Sequence, residues 1–298
     1  MALEDEFENR EAFERIYDLP DPAPYYAAMR TLDYRMPSVA SGYLKHAAPA
    51  LCETFGKSVL RVLDFACGYG TNGAQLTHDL TLMDLYGYYG DGARRPPKEP
   101  ADWQADAAFF RDRRQPAPSF EVGGVDIAAT AVRYAQHVGA ISQGFAVDLT
   151  SADPAPDLDA FLAGTDVVME SGAIGTALPA AYDRLLSSVP AKRQPWLLIA
   201  TRPDVDSRPL QAVLDRHGMI GACCNETPFR YRRMIGPSEH ATMTADIARL
   251  GNDPATYIVD GYLMVDLMLY RPQPHADDPR LREVTADIPP AVFSGRDG

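Results

Sequence analysis

The sequence predicts an α/β protein with a doubly wound, mostly parallel β-sheet. Short apolar segments typical of buried strands alternate along the chain with helical segments, and this alternation is the pattern that builds parallel sheets. The segment Trp196-Leu197-Leu198-Ile199-Ala200 is apolar throughout, as expected of a strand covered on both faces. A third observation is that several of these segments end in an acidic residue, beginning with Asp64.

Length and composition are those of an ordinary globular chain. Of its 298 residues 46% are hydrophobic and 23% are charged, which is enough to bury a sizeable core in one large domain or one and a half. No run of eighteen apolar residues occurs, so no transmembrane helix is predicted. The N-terminus is acidic and lacks the order of a signal peptide, so we predict a cytoplasmic protein without a membrane partner.

The charge balance argues against a nucleic-acid partner. The formal net charge is −13, and a surface of this sign repels a phosphate backbone unless a local basic patch intervenes. The best basic candidate, residues 111–114, is short. The four cysteines are too few and too irregularly spaced for a disulfide framework, and no zinc-ligand spacing accompanies them, so no metal is predicted.

Residues 1–55 are predicted to form an N-terminal helical cap. An acidic helical pattern runs to about residue 20, where three prolines in five positions interrupt it. A short helix over Tyr25–Arg30 follows, and Ser38 is a candidate N-cap for a further helix towards Glu53. This amphipathic, aromatic segment can serve as a cover packed on the sheet, as a roof over a pocket, or as both.

The first convincing strand, Val59 to Leu63, leads into the most informative part of the chain. It ends in Asp64, and a turn of small residues follows before a helix from Ala74 to about Asp79. A carboxylate beside a turn that lets a ligand approach the backbone suits a ligand with a cationic amine. The next stretch, about residues 80–120, lacks a clear strand, and we interpret it as an insertion with helical pieces at 82–89 and 101–111.

The α/β alternation resumes after the insertion and continues almost to the end of the chain. The predicted elements are strand Glu121–Asp126, helix Ile127–Val138, strand Gly144–Asp148, helix Asp157–Leu162, strand Thr165–Glu170, helix Pro179–Ser188, strand Trp196–Ala200, helix Leu210–His217 and final strands within Phe229–Ile235 and Tyr257–Leu269. Residues 271–298 are predicted to be a C-terminal tail.

Four of the predicted strands end in an acid, and ligands of open α/β sheets bind beyond the carboxyl ends of the strands. One acid at such a place is commonly a helix cap, whereas four on successive strands indicate a ligand site. These acids are Asp64, Asp126, Asp148 and Glu170.

A dinucleotide-binding protein is the first alternative, because residues 68–73 satisfy the G-x-G-x-x-G pattern. That pattern also requires an acid about twenty residues further on, whereas Asp126 follows Gly73 by fifty-three residues. Asp64 would in addition lie close to the negative charge of a pyrophosphate. Both mismatches disfavour a dehydrogenase.

The stretch Val62-Leu63-Asp64-Phe65-Ala66-Cys67-Gly68-Tyr69-Gly70 resembles the glycine-rich first motif of class I S-adenosylmethionine (SAM)-dependent methyltransferases. The resemblance continues in order at residues 124–127, 146–149 and 166–170, and it covers about residues 55–270. It implies a seven-stranded, Rossmann-like methyltransferase sheet over residues 56–270, interrupted by the insertion at 80–120. It also implies SAM as the methyl donor and S-adenosylhomocysteine (SAH) as the product.

The resemblance assigns roles to individual residues. It implies that the acid of the second motif holds the ribose hydroxyls and that the third motif holds the adenine with its acid and the next backbone amide. The implied cofactor-binding residues are Asp64, Ala66, Cys67, Gly68, Gly70, Asp126, Ile127, Asp148, Leu149 and Glu170. Ala66 departs from the family pattern, which has a glycine there, and the alanine is tolerable if the residue keeps a negative φ, which is our expectation.

The acceptor side of the site is predicted with less detail. A general base is needed only for an acceptor of high pKa, and the candidates are Glu170, Tyr34 and Tyr69. The candidate substrate-binding residues are Tyr25, Tyr26, Tyr34 and Arg35.

Histidines are not predicted to take part in the reaction. His217 fits a helix C-cap, and His78 and His137 are expected at the surface.

The functional hypothesis is a methyltransferase that acts on a small molecule by in-line displacement, with an oxygen, nitrogen or sulfur acceptor left open. Two alternatives stay open as well. The chain could be a SAM-binding regulatory protein without transferase activity, or it could methylate a peptide or protein across a wide groove. A homodimer is compatible with the sequence.

Overall fold

The computed structural model describes residues 16–90, 98–172 and 178–275 of the chain. Its centre is a β-sheet whose strands follow the predicted order along the chain. The strands are β1 (Leu60–Phe65), β2 (Phe120–Asp126), β3 (Gln143–Ala146), β4 (Val167–Glu170), β5 (Trp196–Thr201), β6 (Met219–Cys223), β7 (Phe229–Arg233), β8 (Ile258–Val259) and β9 (Tyr262–Pro272).

The sheet confirms the predicted fold class. Seven strands lie side by side in the order β3-β2-β1-β4-β5-β9-β6, and β7 and β8 add to β9. Neighbours among β1 to β5 are parallel, whereas β9 runs antiparallel to both β5 and β6. The prediction of seven strands is therefore close, and the described part of the chain contains nine.

Helices cover both faces of this sheet, as a doubly wound fold requires. They are α1 (Ala23–Thr31), α2 (Met36–Phe55), α3 (Thr71–Thr77), α4 (Leu82–Tyr89), α5 (Gln104–Arg111), α6 (Ala129–His137), α7 (Pro156–Leu162), α8 (Leu178–Ser187), α9 (Arg208–Arg216), α10 (Pro237–Arg249) and α11 (Pro254–Tyr257). Among the described residues, none of these helices has the length and apolar character needed to cross a membrane.

Side-chain alternation along β1 explains how the central strands bury two cores at once. Val62 belongs to the apolar cluster on one face of the sheet, and its neighbour Leu63 belongs to the cluster on the other face. Both side chains are fully buried. A strand covered on both faces needs no polar side, which is why apolar residues such as Val62 and Leu63 stand next to each other in the sequence.

The antiparallel strand β9 extends beyond the edge at which the parallel strands end. The last residue of β5, Thr201, pairs with Asp266, so residues 262–265 continue past the carboxyl edge of the sheet. Strand β7 pairs with this extension, and its register shifts between Arg230 and Arg232, which leaves Tyr231 as a bulge residue. This two-stranded projection, β7 with residues 262–265, forms a wall beside the carboxyl edge.

The N-terminal helices dock on the same wall. The turn between α1 and α2 joins β7 through two backbone hydrogen bonds, from Arg35 N to Tyr231 O at 3.0 Å and from Arg233 N to Leu32 O at 2.6 Å. The part of the predicted cap that precedes residue 16 lies outside the described residues. The described part brings Tyr34, which lies in this turn, against β7.

The predicted helical pieces of the 80–120 insertion correspond to α4 and to α5 with the short 3-10 helix Pro100–Asp102 before it. Residues 91–97 lie outside the described residues. Helix α5 is tied to its surroundings by Asp106, which is fully buried and accepts hydrogen bonds from Tyr88, Lys98 and Tyr134. The insertion is therefore fastened to α6 of the core through Tyr134.

Several local predictions were wrong. Ser38 is not an N-cap, because α2 starts at Met36 and accommodates Pro37 in its first turn, where the missing N–H is not needed. His78 is only 1% exposed, because the insertion covers it and Phe110 packs edge-on against its ring at 5.5 Å. His217 does end a helix as predicted, and its backbone N–H donates to Val213 O and Leu214 O.

Two elements of the second half were not predicted at all. Strand β6 has the sequence Met-Ile-Gly-Ala-Cys, and its glycine and exposed positions weaken the strand pattern. Helix α10 has few apolar residues, and its one buried residue, Ile247, joins the apolar cluster that also contains Val62. Strand β9 also continues through Pro272, two residues beyond the predicted end of the domain at residue 270.

Candidate functional site

The glycine-rich turn after β1 uses three positive φ angles in five residues. Ala66 has φ +57°, Gly68 has +49° and Gly70 has +76°. The expectation that Ala66 keeps a negative φ is therefore wrong, because the tight turn imposes a left-handed conformation on that position as well. Gly70 is required for a second reason, since a Cβ there would lie 2.9 Å from the Cβ atoms of Ala135 and Ala140. The turn thus packs directly against the last turn of α6 and the loop that follows it.

We predict that Ala66→Gly stabilises the protein by about 1 kcal/mol, because a left-handed alanine is strained by about 1–2 kcal/mol and glycine is not. Chemical denaturation of the variant measures this difference. The control is Ala117→Gly, since Ala117 is also exposed but has an ordinary negative φ, and that change is expected to be neutral or slightly destabilising. Equal effects of the two substitutions would contradict the prediction.

Asp64 is the last residue but one of β1 and is fully buried. Its Oδ1 accepts a hydrogen bond from Asn72 Nδ2 at 2.8 Å, and the same amide nitrogen donates to Ser171 Oγ at 2.9 Å. Asn72 stands in the first turn of α3, and Ser171 directly follows β4. These three side chains therefore connect the ends of two adjacent strands with the helix that begins after the glycine turn.

Two acceptor atoms in this group have no hydrogen-bond partner: Asp64 Oδ2 and Asn72 Oδ1 are both buried and unsatisfied. Buried polar atoms without partners are rare in folded proteins and call for an explanation. Burial also raises the pKa of Asp64 to about 8, and the hydrogen bond from Asn72 only partly opposes this rise. A ligand that brings a positively charged N–H donor would satisfy both oxygens and ionise the carboxyl group.

Asp126 ends β2 beside the same turn. Its Oδ2 accepts from Gly68 N at 2.8 Å and its Oδ1 accepts from Ala128 N at 2.9 Å, while burial raises the pKa of the carboxyl group. Each carboxylate oxygen can accept a further bond, so these contacts leave room for sugar hydroxyls. The next residue, Ile127, is 72% exposed, which is unusual for a large apolar side chain and provides an apolar surface next to the acid.

Asp148 and Leu149 follow β3 in a polar turn. Asp148 Oδ1 accepts from the backbone N–H and the hydroxyl of Thr150, and these bonds lower the pKa of the carboxyl group. Leu149 is buried, and its carbonyl oxygen accepts from Arg184 at 2.8 Å. Asp148 thus shapes the turn that ends this strand.

Glu170 ends β4 with no exposed surface, and its Oε1 accepts from Gly172 N at 2.5 Å. Two tyrosine hydroxyls converge just beyond it. Tyr34 donates to Ser171 O at 2.8 Å, and Tyr231 donates to Gly172 O at 3.3 Å. The two rings pack edge to face with centroids 5.3 Å apart. Burial raises the pKa of both phenols, and the nearby Glu170 adds to the rise, so both phenols are neutral at physiological pH.

The remaining predicted residues lie around this centre in structural contacts. The Tyr69 hydroxyl is held by the backbone of the N-terminal segment, accepting from Leu19 N at 2.9 Å and donating to the carbonyl of Ile16 or of Leu19. The Tyr26 ring stacks on the Tyr89 ring with centroids 4.4 Å apart, and the Tyr25 ring packs edge-on against the Tyr26 ring. The structure therefore brings Tyr34 to Glu170 but holds the Tyr69 hydroxyl against the N-terminal segment.

Arg35 lies one residue beyond Tyr34 at the edge of this region. It is half-exposed and forms an ion pair with Asp33 at 2.9 Å. Its backbone takes part in the docking of the cap on β7, as described above.

Three polar residues of the site were missed by the sequence analysis. Asn72 could have been found, because a polar amide in the first turn of the helix after the glycine turn must face the end of β1. Ser171 gave a weaker signal as the residue that follows the fourth acid. Tyr231 gave none, because its place depends on antiparallel pairing with a strand about thirty residues later in the chain.

A cleft of about 380 Å³ lies elsewhere, lined by Phe120 and Val122 at the start of β2 and by Val59 before β1. It is at the amino edge of the sheet, the opposite end from the acids, so it does not belong to this site. Within the ranges that the structure describes, no group of three or more histidine, cysteine or acidic side chains is placed to hold a metal ion.

The known proteins to which this chain is similar are distant from it. No family model and no curated protein matches the sequence. Among solved structures, a TehB-like SAM-dependent methyltransferase from Corynebacterium glutamicum is 12% identical, covering 75% of this chain and 86% of that chain with a TM-score of 0.36. The chain has the class I methyltransferase fold. Its strand order shows this fold, with the antiparallel β9 between β5 and β6.

Two further solved structures are similar to the chain at the same low level. The plantazolicin methyltransferase BpumL in complex with SAH is 11% identical, covering 91% of this chain and 93% of that chain with a TM-score of 0.36. A precorrin-6y C5,15-methyltransferase from Geobacter metallireducens is 9% identical, covering 76% and 86% of the two chains with a TM-score of 0.36.

Proposed function

We propose that this protein is a SAM-dependent methyltransferase that methylates a small molecule. The observation that carries the proposal is the buried pair of unsatisfied acceptors, Asp64 Oδ2 and Asn72 Oδ1, at the carboxyl edge where a class I sheet takes its ligand. The amino group of a methionine moiety supplies the charged N–H donors that these atoms lack. When bound, SAM supplies a methyl group on a positively charged sulfur.

The residues of the chain have distinct tasks in this proposal. Asp64 and Asn72 hold the ammonium group, and Asp126 accepts hydrogen bonds from the ribose hydroxyls. Ile127 offers its exposed apolar surface to the adenine. Glu170 and Tyr34 lie where the acceptor would meet the methyl group. The protein's main contribution is to position the reactants and exclude water, because a displacement at a sulfonium needs no covalent help from the enzyme.

The enclosure of the site supports a small acceptor over a peptide or protein. Glu170 is fully buried, and Tyr34 and Tyr231 are only 8% and 6% exposed. A polypeptide acceptor would need an open groove beside these residues. The net charge of −13 also disfavours a polyanionic substrate.

Isothermal titration with SAM and with SAH tests the proposal directly. We expect both to bind the wild-type protein, and we expect Asp64→Asn to weaken binding by about 100-fold, since it removes one partner of a buried charge pair. The matched control is Asp206→Asn, which changes an exposed carboxylate that pairs with Arg208 and should leave binding unchanged. Absence of binding to the intact protein would refute the proposal. Binding without turnover on a broad acceptor panel would identify a regulatory protein instead.

A further inference from the structure

The acceptor region near Glu170 has a chemical bias that the proposed function does not specify. A phenol can both donate and accept a hydrogen bond, and its role depends on where its proton is directed. The Tyr34 hydroxyl donates to Ser171 O, and the Tyr231 hydroxyl donates to Gly172 O. Because a carbonyl oxygen can only accept, both phenolic protons are committed to the backbone. The two hydroxyl oxygens can therefore only accept from a ligand.

The close approach of these hydroxyls to Gly172 holds the arrangement in place. A Cβ added to Gly172 would lie 2.0 Å from the Tyr34 oxygen and 3.5 Å from the Tyr231 oxygen, so both oxygens converge on this residue. The N–H of Gly172 donates to Glu170 Oε1, which places the carboxylate on the same short segment. The Tyr34 oxygen, the Tyr231 oxygen and Glu170 Oε1 thus all lie close to Gly172, just beyond the end of β4.

The bulge in β7 explains how Tyr231 comes to this point. Its neighbours Arg230 and Arg232 pair with Met264 and Leu263, and the extra residue between them is left out of the register. Such bulges commonly redirect a side chain next to an active site. The Arg202 guanidinium, whose Cζ lies 5.8 Å from the centre of the Tyr231 ring, is neutralised by an ion pair with Asp204. Arg232, the other cation that acts on the Tyr231 phenol, is paired with Glu239, so both of these positive charges are already compensated.

We infer that the acceptor is a small primary or secondary amine, that its nitrogen is methylated, and that Tyr231 is a substrate-binding residue beside Tyr34 and Glu170. An ammonium group carries two or three N–H donors and matches three acceptors, whereas a hydroxyl carries one and a carboxylate none. The tyrosine rings add a favourable electrostatic environment for a cation. This inference rests on the proposed function.

The reaction balances with the residues at hand. The amine enters as an ammonium ion and gives one proton to the Glu170 carboxylate. The freed nitrogen lone pair forms a bond to the methyl carbon while the carbon–sulfur bond breaks, and its electron pair stays on sulfur as a neutral thioether. The product is a methylated ammonium ion, and the proton on Glu170 passes to water after the product has left.

Titration of the SAH-loaded protein with matched compounds tests the inference. The probes are butylamine, butanol and butyrate, together with 2-phenylethylamine, 2-phenylethanol and 3-phenylpropionate. We expect the amine of at least one series to bind ten times more tightly than its alcohol and carboxylate partners. We also expect mass spectrometry to detect the methylated amine after incubation with SAM. Tyr34→Phe and Tyr231→Phe should each weaken amine binding about tenfold, since a hydrogen bond to a charged group is worth about 1.5–3 kcal/mol.

The control is Tyr182→Phe, because Tyr182 also lies near Glu170 but packs in the cluster on the other face of the sheet, with a hydroxyl that has no partner. This variant should bind amines like the wild type. Preference for an alcohol or a carboxylate, binding of none of the six probes, or unchanged amine binding in both site variants would overturn the inference while SAH still binds. Loss of SAH binding in the wild type would instead refute the proposed function.

Discussion

Asp64→Asn is expected to make the ligand-free protein more stable at neutral pH, by up to about 4 kcal/mol at pH 7. Burial raises the pKa of Asp64 to about 8 in the folded protein, whereas an aspartate in the unfolded chain titrates near its ordinary value of about 4. Between these two pH values the folded state holds one more proton than the unfolded state. The contribution of Asp64 to stability is therefore full below about pH 4 and declines as the pH rises towards 8.

Chemical denaturation of both proteins between pH 4 and pH 9 measures this effect. The difference in unfolding free energy between variant and wild type should grow with pH across the window and level off above about pH 8. Taking the difference removes the contributions of all other titrating groups. A difference that does not change with pH would mean that Asp64 is already ionised in the free protein.

The same substitution should have the opposite effect on function. A bound ammonium group requires the Asp64 carboxylate, so SAH should bind the wild type more tightly as the pH rises from 6 to 8, by up to tenfold per pH unit. The Asn variant should bind weakly and lack this dependence. As the pH rises, the free protein should lose stability while its affinity for SAH increases. Both effects would have the same cause, the buried Asp64 carboxyl group with its unsatisfied oxygen.

Asp106→Ala is expected to destabilise the protein by about 3–5 kcal/mol, the effect of removing one partner from a buried ion pair. Asp106 is fully buried and accepts from Lys98, from Tyr88 at 2.7 Å and from Tyr134 at 2.8 Å. Without it, a largely buried ammonium group and the phenol of Tyr134 lose their carboxylate acceptor. Urea denaturation of the variant gives the loss in unfolding free energy.

Two further variants separate the buried pair from the general effect of changing a charge in the insertion. Asp112→Ala alters an exposed acid next to the same helix and should change stability by about 0.5 kcal/mol or less. The double variant Lys98→Met/Asp106→Leu removes both charges and should recover most of the loss, because no uncompensated charge is left inside. If Asp106→Ala lowers the unfolding free energy no more than Asp112→Ala does, the Lys98–Asp106 ion pair is hydrated rather than buried.

The hydrogen-bond network around Asp106 is connected to the proposed cofactor site by one contact between aromatic rings. Tyr134 bonds to Asp106 and packs edge-on against Tyr69 of the glycine turn, with centroids 5.8 Å apart. The Tyr69 hydroxyl in turn holds the backbone of Leu19. The insertion, the glycine turn and the N-terminal segment are therefore connected by a continuous set of aromatic and polar contacts.

Much of the candidate site could be predicted because its determinants are local. An acid at the end of a strand and a small-residue turn after it are adjacent in the chain, so Asp64 and the turn to Gly70 can be recognised without any tertiary information. Asp126 and Glu170 follow from the same rule. The left-handed conformation of Ala66 could not be predicted, because an alanine in the sequence gives no sign of a positive φ.

The sequence by itself determined the alternation of strands and helices, the parallel core and the acids at its edge, since each of these depends on the period of apolar residues over a few positions. Only the tertiary structure decided which polar groups meet at that edge. Asn72 reaches Asp64 because α3 folds back on β1, and Tyr231 reaches Tyr34 because β9 runs antiparallel past the end of β5. Such meetings depend on pairing between residues far apart in the chain, and a local pattern carries no record of which strand will pair with which.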